Sequence, residues 1–245
     1  MAGDFEKFTQ QKINSLINHL KKYDQNGDSE TLHQIRVDIK KIKAVIEAIN
    51  GCVKGFKAHK NFIPFRSIFR RAGAIREPEV LARLLLQYKV EGITPEQKPV
   101  EQLAVAFHSN ISHFLNVVEK GKKNLKAFSK QVNRDDLKGY LASKKKKVKS
   151  QLYPRPKMAT MHKVRKSVKE IIYLSEVGGK LKRKEAKFNN KMQDIIGRLH
   201  DKQVLLDLFK NNSKASHILR DLIKLECITD KKEIFILAKD YYEGR

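Results

Sequence analysis

The sequence predicts an all-α protein built from two similar halves, and three observations carry that expectation. The first is an internal repeat. Thr31–Asn50 (TLHQIRVDIKKIKAVIEAIN) and Thr160–Val177 (TMHKVRKSVKEIIYLSEV) align in constant register, pairing His33 with His162, Arg36 with Arg165 and Lys40 with Lys169. The second is period. Leu32, Ile35, Ile39, Ile42, Ile46 and Ile49 recur at spacings of three and four, as one face of a helix requires, and no segment alternates in the manner of a strand. The third is composition: 12 glycines and 6 prolines in 245 residues leave little turn chemistry and favour long helices.

Taken in order, Phe5, Phe8, Ile13, Leu16, Ile17 and Leu20 mark a first helix over Phe5–Tyr23. Asp24–Asp28 (DQNGD) is a turn; it falls short of a calcium loop because Ser29 stands where that loop needs glycine. Ser29 or Thr31 is expected to cap the repeated helix and Asn50-Gly51 to end it. Helices follow near Phe56–Ala72, Pro78–Lys89 and Pro95–Val118. The Lys-rich Arg134–Ser150, with Lys144–Lys147 unbroken, reads as an exposed helix or as a segment ordered by a partner. Tyr153-Pro154-Arg155-Pro156 is the clearest break, since two prolines forbid a continuous helix. Beyond it come Ala159–Val177, a stop at Gly178-Gly179, then Glu185–Gly197, Lys202–Asn211 and a last helix over Ser216–Tyr242. The expected division is an N-terminal helix (1–28), a first half with its Lys-rich connection (29–152) and a second half (153–245).

Charge narrows the function. Fifty-two Lys and Arg against 27 Asp and Glu leave +25, an excess that repels itself until a polyanion relieves it. DNA, RNA, inorganic polyphosphate and an anionic membrane surface share that property. No run is long enough to span a bilayer, and no apolar N-terminal signal is visible. Cys52 and Cys227 are the only cysteines, which gives no disulfide framework and no metal quartet. A cytoplasmic protein without membrane attachment, metal or cofactor is expected.

The repeat also places the bases. His33, Arg36, Lys40 and Lys43 follow the apolar stripe one residue on, so they form a parallel ridge about 100° around the helix axis. His162, Arg165 and Lys169 repeat the ridge, with Ile172 in place of its last base. A single histidine beside an apolar stripe is usually a packed side chain; duplication in register with Arg and Lys is what singles these two out. Histidine donates to phosphate oxygens, arginine adds a bidentate fork and lysine a flexible point charge.

A second pair of matching segments, Gly73–Leu81 (GAIREPEVL) and Gly197–Leu205 (GRLHDKQVL), follows in a slightly shorter register, as one shortened loop would produce. Proline after an acidic residue is a standard helix start. Glu77 and Asp201 are therefore expected to be N-caps that hold Arg76 and His200 at an anion-favouring helix end. The competing reading is that these carboxylates orient Arg76, Arg198 or a ridge base by ion pairing. His200-Asp201 also invites a metal-dependent phosphohydrolase reading that would recruit His162 and Asp221. The first repeat opposes it, because Arg76 occupies the equivalent place and arginine does not ligate metals. No Gly-rich phosphate loop, nucleophile elbow or zinc-ligand motif is present.

At these residues the chain resembles the CHAD domain, the conserved histidine α-helical domain. The resemblance rests on LHxIRxxxKKxK at Leu32–Lys43, MHxVRKxxK at Met161–Lys169, GxxRExxVL at Gly73–Leu81 and GxxHDxxVL at Gly197–Leu205. It implies two four-helix bundles related by a pseudo-twofold, with bases and histidines lining a central groove or pore that binds inorganic polyphosphate without catalysis. The binding residues it implies are His33, Arg36, Lys40, Lys41, Lys43 and Arg76 in the first half. In the second they are His162, Arg165, Lys166, Lys169 and His200. Val37 and Glu170 stand where the other copy has Lys166 and Lys41, so the charge pattern departs from symmetry. Some members of the family are fused to a triphosphate-hydrolysing tunnel domain, for which this sequence has no residues to spare. A nucleic-acid binder is the alternative. The lack of tryptophan and the scarcity of aromatic residues near the ridges favour polyphosphate, because single-strand binders supply stacking platforms.

Overall fold

The computed structural model describes residues 3–90, 98–210 and 217–244. Every regular element among them is helical. The helices are α1 (Gly3–Asn26), α2 (Ser29–Cys52), α3 (Ala58–Gln87), α4 (Lys98–His108), α5 (Ile111–Ser129), α6 (Arg134–Leu152), α7 (Met161–Gly178), α8 (Arg183–Lys210) and α9 (His217–Glu243). A short 3-10 turn, Met158–Thr160, leads into α7. Among the described residues no helix is long and apolar enough to cross a membrane.

The chain divides into two compact units. The first comprises Met1–Arg83 and Pro95–Tyr140, the second Leu84–Thr94 and Leu141–Arg245, so the divisions fall inside α3 and α6. In the first unit, α1 packs on α2 and on α5. Gly27, at φ +60°, makes the tight turn between α1 and α2, a conformation that favours glycine. The cap of α2 is one residue earlier than expected: Asp28, not Ser29 or Thr31, accepts a 2.7 Å hydrogen bond from the Thr31 amide. The apolar stripe of α2 is fully buried from Leu32 to Ile49. One carboxylate shares that interface. Asp38 is 2% exposed, and its Oδ2 takes hydrogen bonds from the Ser15 hydroxyl (2.9 Å) and His19 Nδ1 (2.6 Å), both on α1. Buried carboxylates need such partners, and this one fixes how α1 lies on α2.

In the second unit α7 packs on α8 and α8 on α9. Ion pairs stitch the α8–α9 seam: Arg198 with Glu233 (2.7 Å), and Lys202 with Asp230 (2.8 Å) and Glu226 (3.2 Å). Tyr88, from the α3 end of this unit, donates to Glu226 at 2.7 Å. α7 ends at Gly178, and Gly179 follows at φ +121°, at the expected Gly178-Gly179 stop.

Several boundaries differ from expectation. The helices expected at Phe56–Ala72 and Pro78–Lys89 are one helix, α3, running through Pro64 and Pro78. A proline inside a helix removes one hydrogen bond and tends to bend the axis; α3 nevertheless continues, with Phe65, Ile68, Ala72 and Ile75 buried between its two prolines and Leu85 buried beyond them. Glu185–Gly197 and Lys202–Asn211 are likewise one helix, α8. Conversely, the single helix expected over Pro95–Val118 is two, α4 and α5, separated at Ser109-Asn110. Its first residues at 95–97, the end at Asn211 and the start at Ser216 lie outside the described residues. The Lys-rich segment is helical throughout as α6, with Leu137, Leu141, Val148 and Leu152 buried. Cys52 is half-buried and Cys227 buried; burial and Asp136 push the Cys52 thiol up to about 11, which keeps it protonated and unreactive.

Candidate anion-binding site

Each unit brings its own pair of matched segments together. In the first, the α2 ridge lies along α3, whose facing side presents Phe62, Phe69, Gly73 and Glu77. The Arg36 guanidinium sits 4.7 Å from the Phe69 ring centre and Lys40 Nζ 5.9 Å from it, while Lys43 Nζ is 5.1 Å from Phe62. Arg36 Nη2 approaches Glu77 Oε1 at 3.6 Å. The ridge is thus half-buried, with Arg36 only 15% exposed in its side chain. These rings correct the expectation that few aromatic residues lie near the ridges. They are not open stacking platforms, however: the cations of the ridge lie over them, as cation–π geometry favours.

Gly73 explains how the arginine gets there. A Cβ at that position would collide with Arg36 Nη1, so glycine leaves the space that the guanidinium occupies. The second unit repeats the device. A Cβ on Gly197 would stand 3.0 Å from Arg165 Nη2. Both glycines are buried inside long helices, where glycine costs about 1 kcal/mol relative to alanine. That cost is the signal in the sequence that a close approach had to be accommodated. The glycines stand in both matched segments, yet only the packing reveals their role.

Arg36 and Arg165 share another property with Arg76. Arg36 Nη1, Arg76 Nε and Arg165 Nε are buried and have no hydrogen-bond partner among the described residues. A buried, unsatisfied guanidinium nitrogen is costly, and in a protein interior such a group is normally completed by an ordered water, an ion or a ligand. Burial, opposed by Glu77, also draws the Arg36 guanidinium below its ordinary value.

The histidines meet the second segments as well. In the second unit the His162 and His200 rings lie 6.2 Å apart, and the charges of Lys166, His200 and Arg165 all bear on His162. In the first unit Arg76, Lys40 and Arg36 bear on His33 in the same way. Both imidazoles are held below the usual histidine value, first by burial and then by these cations; for His33, Glu30 opposes. Lys169 is lowered too, by burial and by Arg165, against the opposing charges of Asp194 and Asp201.

His33, Arg36, Lys40, Lys43 and Arg76 therefore form one group, and His162, Arg165, Lys166, Lys169 and His200 a second. Lys41 does not join the first: next to Lys40, it projects about 100° further around α2. Its counterpart Glu170 is buried and bound to Lys144 at 2.9 Å.

The capping roles expected of Glu77 and Asp201 are wrong. Both stand well inside continuous helices, so Arg76 and His200 are not at a helix end either. The competing reading fits better: Glu77 sits beside Arg36, and the charge of Asp201 bears on Lys169. Arg76 is held instead by Glu79 at 2.6 Å and by Ser29. Arg198 faces away to Asp230 and Glu233 on α9. Asp221, which a metal site would recruit, pairs with Lys224 at 2.8 Å. Among the described residues no group of three or more His, Cys, Asp or Glu side chains is placed to hold a metal ion.

A strongly basic, all-helical protein whose matched segments twice assemble His, Arg and Lys against a helix glycine defines the class. The chain belongs to the CHAD domain family, whose match extends over residues 11–210. No curated protein matches it in a sequence comparison.

Replacing Gly73 by alanine tests the arginine seat directly. The collision falls on the end of the Arg36 side chain and not on backbone, and alanine is the better helix former, so thermal stability should change little. Polyanion affinity should fall about tenfold, the equivalent of one displaced charge-assisted contact. Unfolding midpoints and a binding titration on the same preparation separate the two effects; a stable variant with full affinity would remove the seat from the account.

Proposed function

We propose that this protein binds inorganic polyphosphate in the cytoplasm, without a chemical step, and that its two units are copies of one anion-binding module. One observation carries the reading: each unit holds a half-buried arginine, seated on a helix glycine, with a buried guanidinium nitrogen that has no hydrogen-bond partner among the described residues. A phosphate oxygen is the acceptor that such a nitrogen lacks, and the guanidinium fork suits phosphate geometry. The flanking histidines and lysines extend the donors along the helix. That suits a linear chain of phosphates better than one small anion. The bases of a nucleic acid would find the Phe62 and Phe69 faces already lying under Lys43, Arg36 and Lys40.

A competition titration tests this. Labelled long-chain polyphosphate is displaced with duplex DNA, RNA and tripolyphosphate at physiological salt, and phosphate release is followed in the same tube. Salt dependence alone does not discriminate, since every polyanion releases counterions. The expected result is retention of polyphosphate against both nucleic acids, with no phosphate released. Displacement by RNA or DNA at equal phosphate concentration would replace this reading with nucleic-acid binding, and metal-dependent phosphate release would replace it with hydrolysis.

A further inference from the structure

The second unit contains a cavity of about 240 Å³ that the ridge does not use. Its wall is aromatic. Phe188 on α8 stacks on Tyr241 of α9 at 3.9 Å, and Tyr242 stands edge-on to both, at 5.6 and 5.0 Å. Its rim is cationic: Lys145, Lys146 and Lys149 of α6 line it, with Lys149 Nζ 5.5 Å from the Tyr242 ring centre. Its polar groups are few and opposed in kind. Glu185 offers carboxylate oxygens and is held at 2.7 Å by Lys145. Asn189 is 3% exposed, lines the cavity, and its Nδ2 is buried with no hydrogen-bond partner among the described residues.

That combination is unlike the ridge and lies apart from it. Counting roughly 1.5 Å per helical residue, Ile171 at the cavity is about 13 Å along α7 from His162, and Phe188 is about 18 Å along α8 from His200. Apolar walls with one or two convergent polar groups are the ordinary make-up of a small-molecule site. A buried amide donor without an acceptor is a defect in a packed interior, and it becomes useful when a ligand supplies the acceptor. An inorganic phosphate chain has no surface for three aromatic rings, whereas a purely apolar ligand leaves Asn189 and the lysines unanswered.

We infer that this cavity binds the base of a free nucleoside phosphate. The heterocycle lies against Tyr241 and Tyr242 and accepts from Asn189 Nδ2. Glu185 accepts from an exocyclic amine or a ribose hydroxyl, and the phosphates reach Lys146 and Lys149 at the rim. Burial raises both tyrosine hydroxyls above their ordinary value, so they remain protonated and add donors to the wall. The volume admits a base with part of its sugar and leaves the phosphates in solvent, at the lysines.

The test uses the full chain carrying Arg36→Ala and Arg165→Ala, so that the ridges compete less for phosphate. A fluorescent ATP analogue is bound and then displaced by ATP or by tripolyphosphate, which has the same charge type and no base. ATP is expected to displace at least tenfold better than tripolyphosphate. Adding Asn189→Leu, close in volume but lacking the donor, is expected to erase that preference, and Tyr242→Ala to do the same. Equal displacement by ATP and tripolyphosphate, or a preference untouched by Asn189→Leu in a folded variant, would overturn the assignment. Displacement by single-stranded RNA better than by ATP, per nucleotide, would overturn it as a free-nucleotide site. Polyphosphate binding by the otherwise unchanged chain should not respond to Asn189→Leu, which keeps this result separate from the fate of the ridges.

Discussion

Replacing Arg36 and Arg165 together by alanine is expected to weaken polyphosphate binding about 100-fold or more, with helicity and unfolding midpoint little changed. Each arginine is the centre of its group and the residue that its glycine accommodates. A hydrogen bond to a charged group contributes about 1.5–3 kcal/mol, and two such losses give at least two decades in affinity. The fold should tolerate the change because alanine is the best helix former and a desolvated, incompletely bonded cation is removed from each unit. Anisotropy of labelled polyphosphate with circular dichroism on the same samples reads both quantities. Affinity within about threefold of the parent, with intact helicity, would mean that the ridges are not where the polyanion lies.

Binding should also strengthen as pH falls. In the free protein His33 and His162 sit below the ordinary histidine value, because burial and neighbouring cations favour the neutral ring. Two consequences follow from the sign. For folding, the neutral rings contribute stability above the unfolded histidine value of about 6.5, and that contribution is lost as pH falls through the lower folded values. For binding, a phosphate chain alongside favours the imidazolium and raises both values in the complex, so each histidine takes up a proton on binding. Affinity then rises by up to about tenfold per pH unit per histidine as pH drops from 7 toward 5, or about 100-fold per unit with both engaged. The free protein should lose stability over the same interval and recover it with polyphosphate present. Titrations at constant ionic strength across that range, repeated with His33→Gln and His162→Gln together, measure the effect; an unaltered slope in the double variant would assign the protons elsewhere.

The two ridges were legible in the sequence because helical period is a local property. Spacings of three and four place Ile35, Ile39 and Ile42 on one face and His33, Arg36 and Lys40 beside it, whatever the helix packs against. The same arithmetic could have set Lys41 aside, since one residue beyond Lys40 is a different face; the family resemblance carried it in. The family itself was also legible, through four short segments in order.

Helix boundaries and the company of each side chain were not. Pro78 after Glu77 has the local signature of a helix start, yet α3 runs through it, which turns Glu77 from a cap into the neighbour of Arg36. Phe62 and Phe69 come under the ridge because α3 lies along α2, a long-range fact that no window of sequence contains. Asp38 is satisfied only because α1 brings Ser15 and His19 to it, a contact that no local window holds. Asn189 and its aromatic wall come from α8 and α9, and α6 and α7 complete the cavity lining, so no single window of sequence contains it. The sequence by itself determined an all-helical, strongly basic protein with a duplicated His-Arg-Lys helix, since these follow from composition and period. The tertiary structure alone decided which glycine receives each arginine, which carboxylate stands beside Arg36 and where a cavity opens. Those depend on how close two helices approach, and side-chain volume at the contact sets that distance.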